Sequence, residues 1–268
     1  MSQTDSVTTT RRGKVLEVTL NRPPVNAIDA ATSMELYQAF RTLQDDDGLL
    51  IGIITGTGDR AFSAGWDLKA VAAAESREDV EVEESPGGFA GLTEFWDLHK
   101  PVIAAVNGFA IGGGFELALC GDIILAAEHA EFWLPEMERG FLASAGAIQR
   151  LPRRIPYNVA MDLFFTGRHM TAEEAKHWGL IKEVLPADQL MNRTRELADQ
   201  LSEGASLALQ AMKAIMPAIM NLPIDEAMRA TKRGNSGVPV FEAMTDSEDA
   251  IEGPRAFAEK RKPNWKGR

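Results

Sequence analysis

Apolar positions recur along this chain with two periods, and the change between them divides it. "KVLEVTL" (14–20) alternates apolar with polar residues and predicts a strand. "NRPPVNAIDA" (21–30) follows as a loop, kept irregular by Pro23, Pro24 and Asn26. Asp29 is placed to cap a helix over "AATSMELYQAFRTLQ", where Met34, Leu36, Ala39, Phe40 and Leu43 recur at helical spacing. "LLIGIITG" (49–56) reads as a buried strand, and "TGDRAFSAGWDLKAVAAA" turns from loop into helix around Gly65 to Asp67. The acidic "ESREDVEVEESPGGFAG" reads as a mobile surface loop and "LTEFWDL" (92–98) as a short helix. "KPVIAAVNG" predicts a strand, then come three glycines and a helix through Leu119, then the strands "DIILAAE" and "AEFWLPE".

From Asn158 the pattern is mostly helical, broken by one strand, "LIKEVLP" (180–186). Strand and helix alternate in the first two-thirds and helices fill the last third. This predicts an α/β core with a helical region after it. The expected division is a flexible tail over 1–12, a core over 13–200 and a helical region over 201–268. No fixed-period repeat and no low-complexity segment stands out.

Composition narrows the function. The 268 residues carry a net charge of −11, the wrong sign for binding a polyanion. One cysteine, Cys120, allows no intrachain disulfide. The polar start "MSQTDSVTTTRRGK" has no apolar core of a secretory signal, and no run reaches the length of a membrane helix. A cytoplasmic protein without membrane or nucleic-acid partners is expected. Phosphate-loop, dinucleotide and serine-elbow motifs are missing. His99, His129, His169 and His177 sit in no metal spacing. Carboxylates and backbone groups remain as candidate chemistry, with no metal expected.

Two turns stand out. "GGGFELAL" and "FSAGWDLKA" each place glycine before a helix start, where backbone N–H groups lack intrahelical partners. Each turn could be no more than a tight strand-to-helix connection. Together they could aim two N–H groups at one oxygen. Two acids sit in apolar company: Glu116 just behind the glycines and Glu136 in "FWLPEMERG". Desolvation there would raise a carboxyl pKa toward neutrality, although each could also be a backbone-bonded helix-start or loop carboxylate.

Taken in order, "NRPPVNAIDA", "AFSAGWDLKA", "KPVIAAVNGFAIGGGFELALCGD", "WLPEMERG", "FTGRHMTAEEAKHWGLIKEV" and "AFAEKRKPNWKGR" resemble the enoyl-CoA hydratase, or crotonase, superfamily over essentially the whole chain. The likeness is greatest to its carnitinyl-CoA dehydratase branch, through "NAIDA", "FSAGWDLKA", "GGFAGLTE", "GGGFELAL" and "SEDAIEGPRAFAEKR".

The resemblance implies a crotonase-like spiral of ββα units with a C-terminal helical region that mediates trimers, often paired into hexamers. It implies an oxyanion hole from the N–H groups of Trp66 and Gly113. Glu116 is then expected to act on water at the substrate β-carbon and Glu136 to carry the α-carbon proton. Coenzyme A, carried by the substrate and not a separate cofactor, would meet Ala64, Asp67, Leu68 and Val25, with Phe257 and Lys260 reaching it from a neighbouring subunit. Relatives often carry lysine at the position of Pro24. The retained acid pair favours reversible hydration and dehydration of a short acyl-CoA, and the branch likeness implies dehydration of carnitinyl-CoA to crotonobetainyl-CoA and its reverse. A general enoyl-CoA hydratase or isomerase is the alternative. An RNA-binding branch also exists, and both the charge and the acid pair weigh against it. Trp66, Trp133 and Glu138 could meet a trimethylammonium group. The family pattern after the second acid departs here, with Ala143 for a proline, Ala147 for a glycine and Ser144 where glycine is frequent.

Overall fold

The structure, a computed structural model, describes residues 5–67 and 85–268. The chain forms two compact units: residues 1–98 with 102–198, and residues 99–101 with 199–268.

The first unit holds two sheets. Its strands are β1 (Val7–Arg12), β2 (Val15–Leu20), β3 (Ile51–Gly56), β4 (Ala61–Ser63), β5 (Val102–Val106), β6 (Phe109–Ile111), β7 (Ile123–Ala127), β8 (Glu131–Trp133), β9 (Met170–Thr171) and β10 (Glu183–Leu185). The large sheet has the order β1-β2-β3-β5-β7-β10, parallel except for the antiparallel β1–β2 pair. The small sheet has the order β4-β6-β8-β9, parallel until β9. Successive strands β3/β4, β5/β6 and β7/β8 therefore give one strand to each sheet. That repeat generates the spiral of ββα units expected from the resemblance.

The large sheet is core. Every residue of β3 and β5 is buried, which is why both read as nearly continuous apolar runs; the polar Thr55 of β3 donates its hydroxyl to Ala105 O at 2.8 Å. Helix α1 (Ala30–Asp45) covers β1–β3 with Leu36, Ala39, Phe40 and Leu43, and its first turn is capped by Asp29 Oδ1, which accepts from Thr32 N at 2.8 Å. Met34, on the same predicted stripe, is exposed.

Two readings of the pattern change. Residues 7–12 belong to an edge strand and not to a tail. Its outward threonines and arginines carry no apolar alternation, but Gly13 at φ +58° turns the chain into a hairpin with β2. "LTEFWDL" forms successive turns and not a helix: after Thr93 N donates to Phe89 O, Glu94 N turns back to Gly87 O at 2.8 Å instead of continuing to Ala90 O, and Ala90 at φ +54° and Gly91 at φ +64° break the approach. The predicted helix after Asp67, and most of the acidic loop, lie outside the described residues.

After α1 come α2 (Gly113–Ala118), α3 (Ala147–Arg150), α4 (Tyr157–Thr166), α5 (Ala172–His177) and α6 (Ala187–Ser202), and the second unit is helical, with α7 (Ser206–Ile219), α8 (Ile224–Ala230), α9 (Pro239–Asp246) and α10 (Glu248–Ala258). Its last residues fold back along α10. Buried Asp249 accepts from Lys266 N at 2.8 Å and Gly267 N at 2.9 Å, and Arg261 Nη2 donates to Glu252 at 2.9 Å. Among the described residues no helix is long and apolar enough to cross a membrane.

Candidate active site

The C-terminal ends of β4, β6 and β8 lie side by side because these three strands are neighbours and run parallel. Each end delivers one part of the predicted site: Ala64–Asp67 after β4, the glycine run after β6, and Glu136 after β8. Ligands in parallel sheets commonly bind at such strand ends.

The first turn is fixed by the loop before α1. Ala64 N donates to Val25 O at 2.9 Å, and Ser63 Oγ donates to Asn26 O at 2.7 Å. Asn26, at φ +52°, donates from Nδ2 to Ala61 O at 2.8 Å and Thr57 O at 3.1 Å. Trp66 bridges Ile28 in a parallel pairing: Ile28 N donates to Gly65 O at 2.7 Å, and Asp67 N to Ile28 O at 3.0 Å. Such a pairing uses the groups on either side of Trp66. Its own N–H therefore points the other way, and it donates to nothing among the described residues.

The second donor belongs to Gly113, the first residue of helix α2 (Gly113–Ala118), whose N–H likewise finds no acceptor among the described residues. The two turns touch through glycine backbone. A Cβ on Gly65, where φ is +76°, would lie 2.7 Å from Gly113 N and 2.8 Å from Ile111 O. Each glycine of the run makes its own close approach. A side chain on Gly112 would strike Glu136 Oε1, one on Gly113 would come 2.6 Å from the Phe89 ring, and one on Gly114 would come 2.7 Å from Ser63 C. Three neighbours press on three consecutive residues, so three glycines are needed.

Glu116 sits in the first turn of α2 and is 3% exposed. Burial drives its pKa up to about 7. The Ala147 N–H, donating to Oε1 at 3.0 Å, opposes that rise, the charge of Glu136 adds to it, and Ala145 backbone and Arg150 oppose it further. The segment in which the family pattern departs thus supplies the N–H that holds Glu116. Because the contact is backbone, alanine at 147 can make it as glycine would.

Glu136 is half-buried, and burial raises its pKa against its own backbone N–H and Arg139. Its Oε2 is buried with no hydrogen-bond partner among the described residues. A buried carboxyl oxygen in that state is suited to holding a proton or meeting a ligand. Two neighbouring acids that both resist ionisation can share one proton, which is the equipment for moving a proton at neutral pH.

Other predicted residues fall as follows. Val25 and Ala64 are half-buried at the first turn, and the Ala64 N–H is engaged, which leaves its carbonyl for a ligand. Asp67 pairs with Arg22 Nη2 at 2.9 Å, which also binds Asp29 at 2.8 Å. Leu68 lies outside the described residues. Phe257 and Lys260 lie at the end of α10 in the second unit, both exposed, with Lys260 at φ +53°. Of the aromatic candidates, Trp66 stacks on Phe89 with centroids 5.1 Å apart. Trp133 is occupied within the protein, by His169 stacked at 4.0 Å and the edge of Phe109 at 5.4 Å. Sequence reading missed Phe89, Arg22 and the use of the Ala147 N–H. Only Ala147 had a signal, its departure from the family pattern.

The fold and this pair of turns define a crotonase-type enzyme. Residues 10–268 match the enoyl-CoA hydratase/isomerase family, and the chain belongs to it. The carnitinyl-CoA dehydratase of Salmonella arizonae is 49% identical over 263 residues, covering 98% of this chain and 99% of that protein. That of Citrobacter koseri is 49% identical over 264 residues with the same coverage. Among solved structures, enoyl-CoA hydratase from Mycobacterium tuberculosis H37Rv aligns with a TM-score of 0.86 at 38% identity, covering 98% of this chain and 99% of that one. An enoyl-CoA hydratase subunit from Geobacillus kaustophilus aligns at 0.87 and 35% identity, covering both chains fully.

Proposed function

We propose that the chain is a hydro-lyase that interconverts carnitinyl-CoA and crotonobetainyl-CoA, with the thioester oxygen held by the N–H groups of Trp66 and Gly113. In the hydration direction, the ionised Glu116 takes a proton from water as its oxygen bonds the β-carbon. The electron pair of the double bond moves onto the thioester as an enolate, held by the two donors. Protonated Glu136 then delivers its proton to the α-carbon. Dehydration runs the same steps backward. Coenzyme A arrives with the substrate, and no further cofactor takes part. Val25, Ala64, Asp67 and Leu68 bind it, with Phe257 and Lys260 of a neighbouring copy, in a cytoplasmic trimer or pair of trimers.

One observation carries this reading: two backbone N–H groups without acceptors among the described residues stand on the two turns that touch at Gly65 and Gly113, beside buried Glu116 and half-buried Glu136, both with raised pKa values. The identity to carnitinyl-CoA dehydratases supports the acyl group. His169 stacked on Trp133 favours the alternative, a general enoyl-CoA hydratase, and Trp66, stacked on Phe89, is the remaining aromatic candidate for a cation.

Turnover of crotonobetainyl-CoA against an uncharged isostere of equal size decides between them. A cation–π contact of about 2 kcal/mol gives roughly 30-fold preference in kcat/KM for the charged substrate. Trp66→Leu should erase part of it while sparing crotonyl-CoA. Equal turnover of both substrates refutes the carnitine assignment. Glu116→Gln and Glu136→Gln should each lower kcat by about 10²–10⁴. Near-normal turnover in either variant removes that acid from the mechanism.

A further inference from the structure

Arg150 lies outside the set of groups just described, yet its side chain reaches between two of the segments that build the site. It ends the short helix α3 (Ala147–Arg150), whose first N–H holds Glu116 Oε1. Its Nη2 donates to Thr93 O at 2.6 Å, across 57 residues of chain. Its guanidinium carbon lies 5.8 Å from the centre of the Trp96 ring. On the other side the guanidinium fills the space where Gly146, at φ +129°, would carry a side chain. Arg150 is half-buried, and a fork held this way has little freedom to move.

Both ends of that span bear on the chemistry. Toward Glu116, the fork presses on Gly146, the residue just before the Ala147 N–H. Toward the donors, Thr93 is tied to Phe89 through its N–H and hydroxyl, and the Phe89 ring packs on Trp66 and against Gly113. A guanidinium that holds the 146–147 backbone against the 89–93 turn therefore fixes the acid relative to the oxyanion donors. Misplacement of a reacting group by about 1 Å can cost on the order of 100-fold in rate.

We propose that Arg150 is a positioning residue for the hydration reaction: by joining Gly146–Ala147 to Thr93 it sets where Glu116 stands relative to Trp66 and Gly113. This rests on the assignment of Glu116 as the group that acts on water. The groups that bear on the Glu116 carboxyl are Glu136 after β8, Arg150 and the Ala147 and Ala145 backbone from the 143–150 segment, while Cys120 of the following turn donates to the Glu116 carbonyl at 3.4 Å. Among these Arg150 is the one cation.

The test compares Arg150→Gln, which keeps a donor without charge, and Arg150→Lys, which keeps charge without the fork, on crotonyl-CoA across pH. Circular dichroism and sedimentation select folded, assembled protein. Arg150→Gln should lower kcat by about 10- to 100-fold with KM changed by less than about threefold, and move the acidic limb of kcat/KM to higher pH. Arg150→Lys should leave that limb in place and recover part of kcat. Adding Arg150→Gln to Glu116→Gln should cost less than about twofold more, because a displaced acid that is already neutralised has little left to lose.

An unmoved limb with unchanged kcat in Arg150→Gln overturns the proposal, as does its full loss repeated on top of Glu116→Gln. If Glu116→Gln alone turns over normally, the underlying assignment fails first, and the proposal with it. A variant of Arg150 that folds only as lysine leaves the pH limb of Arg150→Lys as the readout, and a shifted limb there counts against the charge.

Discussion

Gly65 and Gly113 meet backbone to backbone, so closely that a Cβ on the first would lie 2.7 Å from the nitrogen of the second. Nothing but glycine fits at 65, where φ is +76° and the neighbouring atoms are main chain and cannot rotate away. Gly65→Ala should thus push the two donors apart. We expect kcat/KM to fall by about 10²-fold or more, the range seen when one oxyanion donor is lost, with a stability cost of roughly 1–3 kcal/mol from the strained backbone. Wild-type kcat/KM in folded Gly65→Ala would count against an oxyanion hole at this contact.

Gly112 makes the same kind of demand on an acid. At φ +52° it leaves the space that Glu136 Oε1 occupies. Gly112→Ala should displace that carboxyl group and lower kcat by at least about tenfold, with a smaller change in KM, if Glu136 has its proposed role at the α-carbon proton and not at coenzyme A. Steady-state kinetics on crotonyl-CoA checks the split. A change confined to KM would point to a binding role instead.

The raised pKa of Glu116 has a measurable effect on folding. The group ionises at about 4.5 when unfolded and at about 7 when folded. Between those values the folded state binds more protons than the unfolded one, so its contribution to stability falls as pH rises, and levels off above about pH 7. Glu116→Gln removes that loss. The variant should gain on the wild type by up to about 3 kcal/mol between pH 4.5 and 7, read from urea melts across pH. A constant difference between the two proteins over this range would mean that Glu116 is not held protonated by burial.

Phe257 is 87% exposed on α10, more than any other large apolar side chain described. If a neighbouring copy covers it and brings it to coenzyme A, Phe257→Ala should raise KM for acyl-CoA several-fold at unchanged kcat and loosen the oligomer in sedimentation. An intact assembly with unchanged KM would remove this residue from the binding surface.

The parts that were legible in the sequence share a local cause. Asp29 caps α1 through an N–H three residues away, and the nearly continuous apolar runs of β3 and β5 reflect burial on both faces. The glycine turns and both acids were visible as exceptions within apolar stretches, and the family resemblance set them in order. What escaped depends on distant partners or on very short elements. Strands β4 and β6 have three residues each, too few to show a period. Thr93 turns the chain back toward Phe89 and gives its carbonyl to Arg150, 57 residues on. Trp133 lies under His169, which reaches it only because β9 pairs with β8. No window of sequence contains both members of such pairs.

The spiral divides its strands so that every proposed reacting group follows a strand of the small sheet, while the large sheet is packed as core. Robustness and specificity can then change on separate schedules. Ile53 and Ile103, fully buried in β3 and β5, can be trimmed to valine at roughly 0.5–1.5 kcal/mol each, which lowers the melting temperature and leaves turnover per folded molecule as it was. A lineage that drifts toward a new acyl group would spend its substitutions on three strand ends, and could accumulate or lose thermal tolerance elsewhere without retuning a single proton transfer.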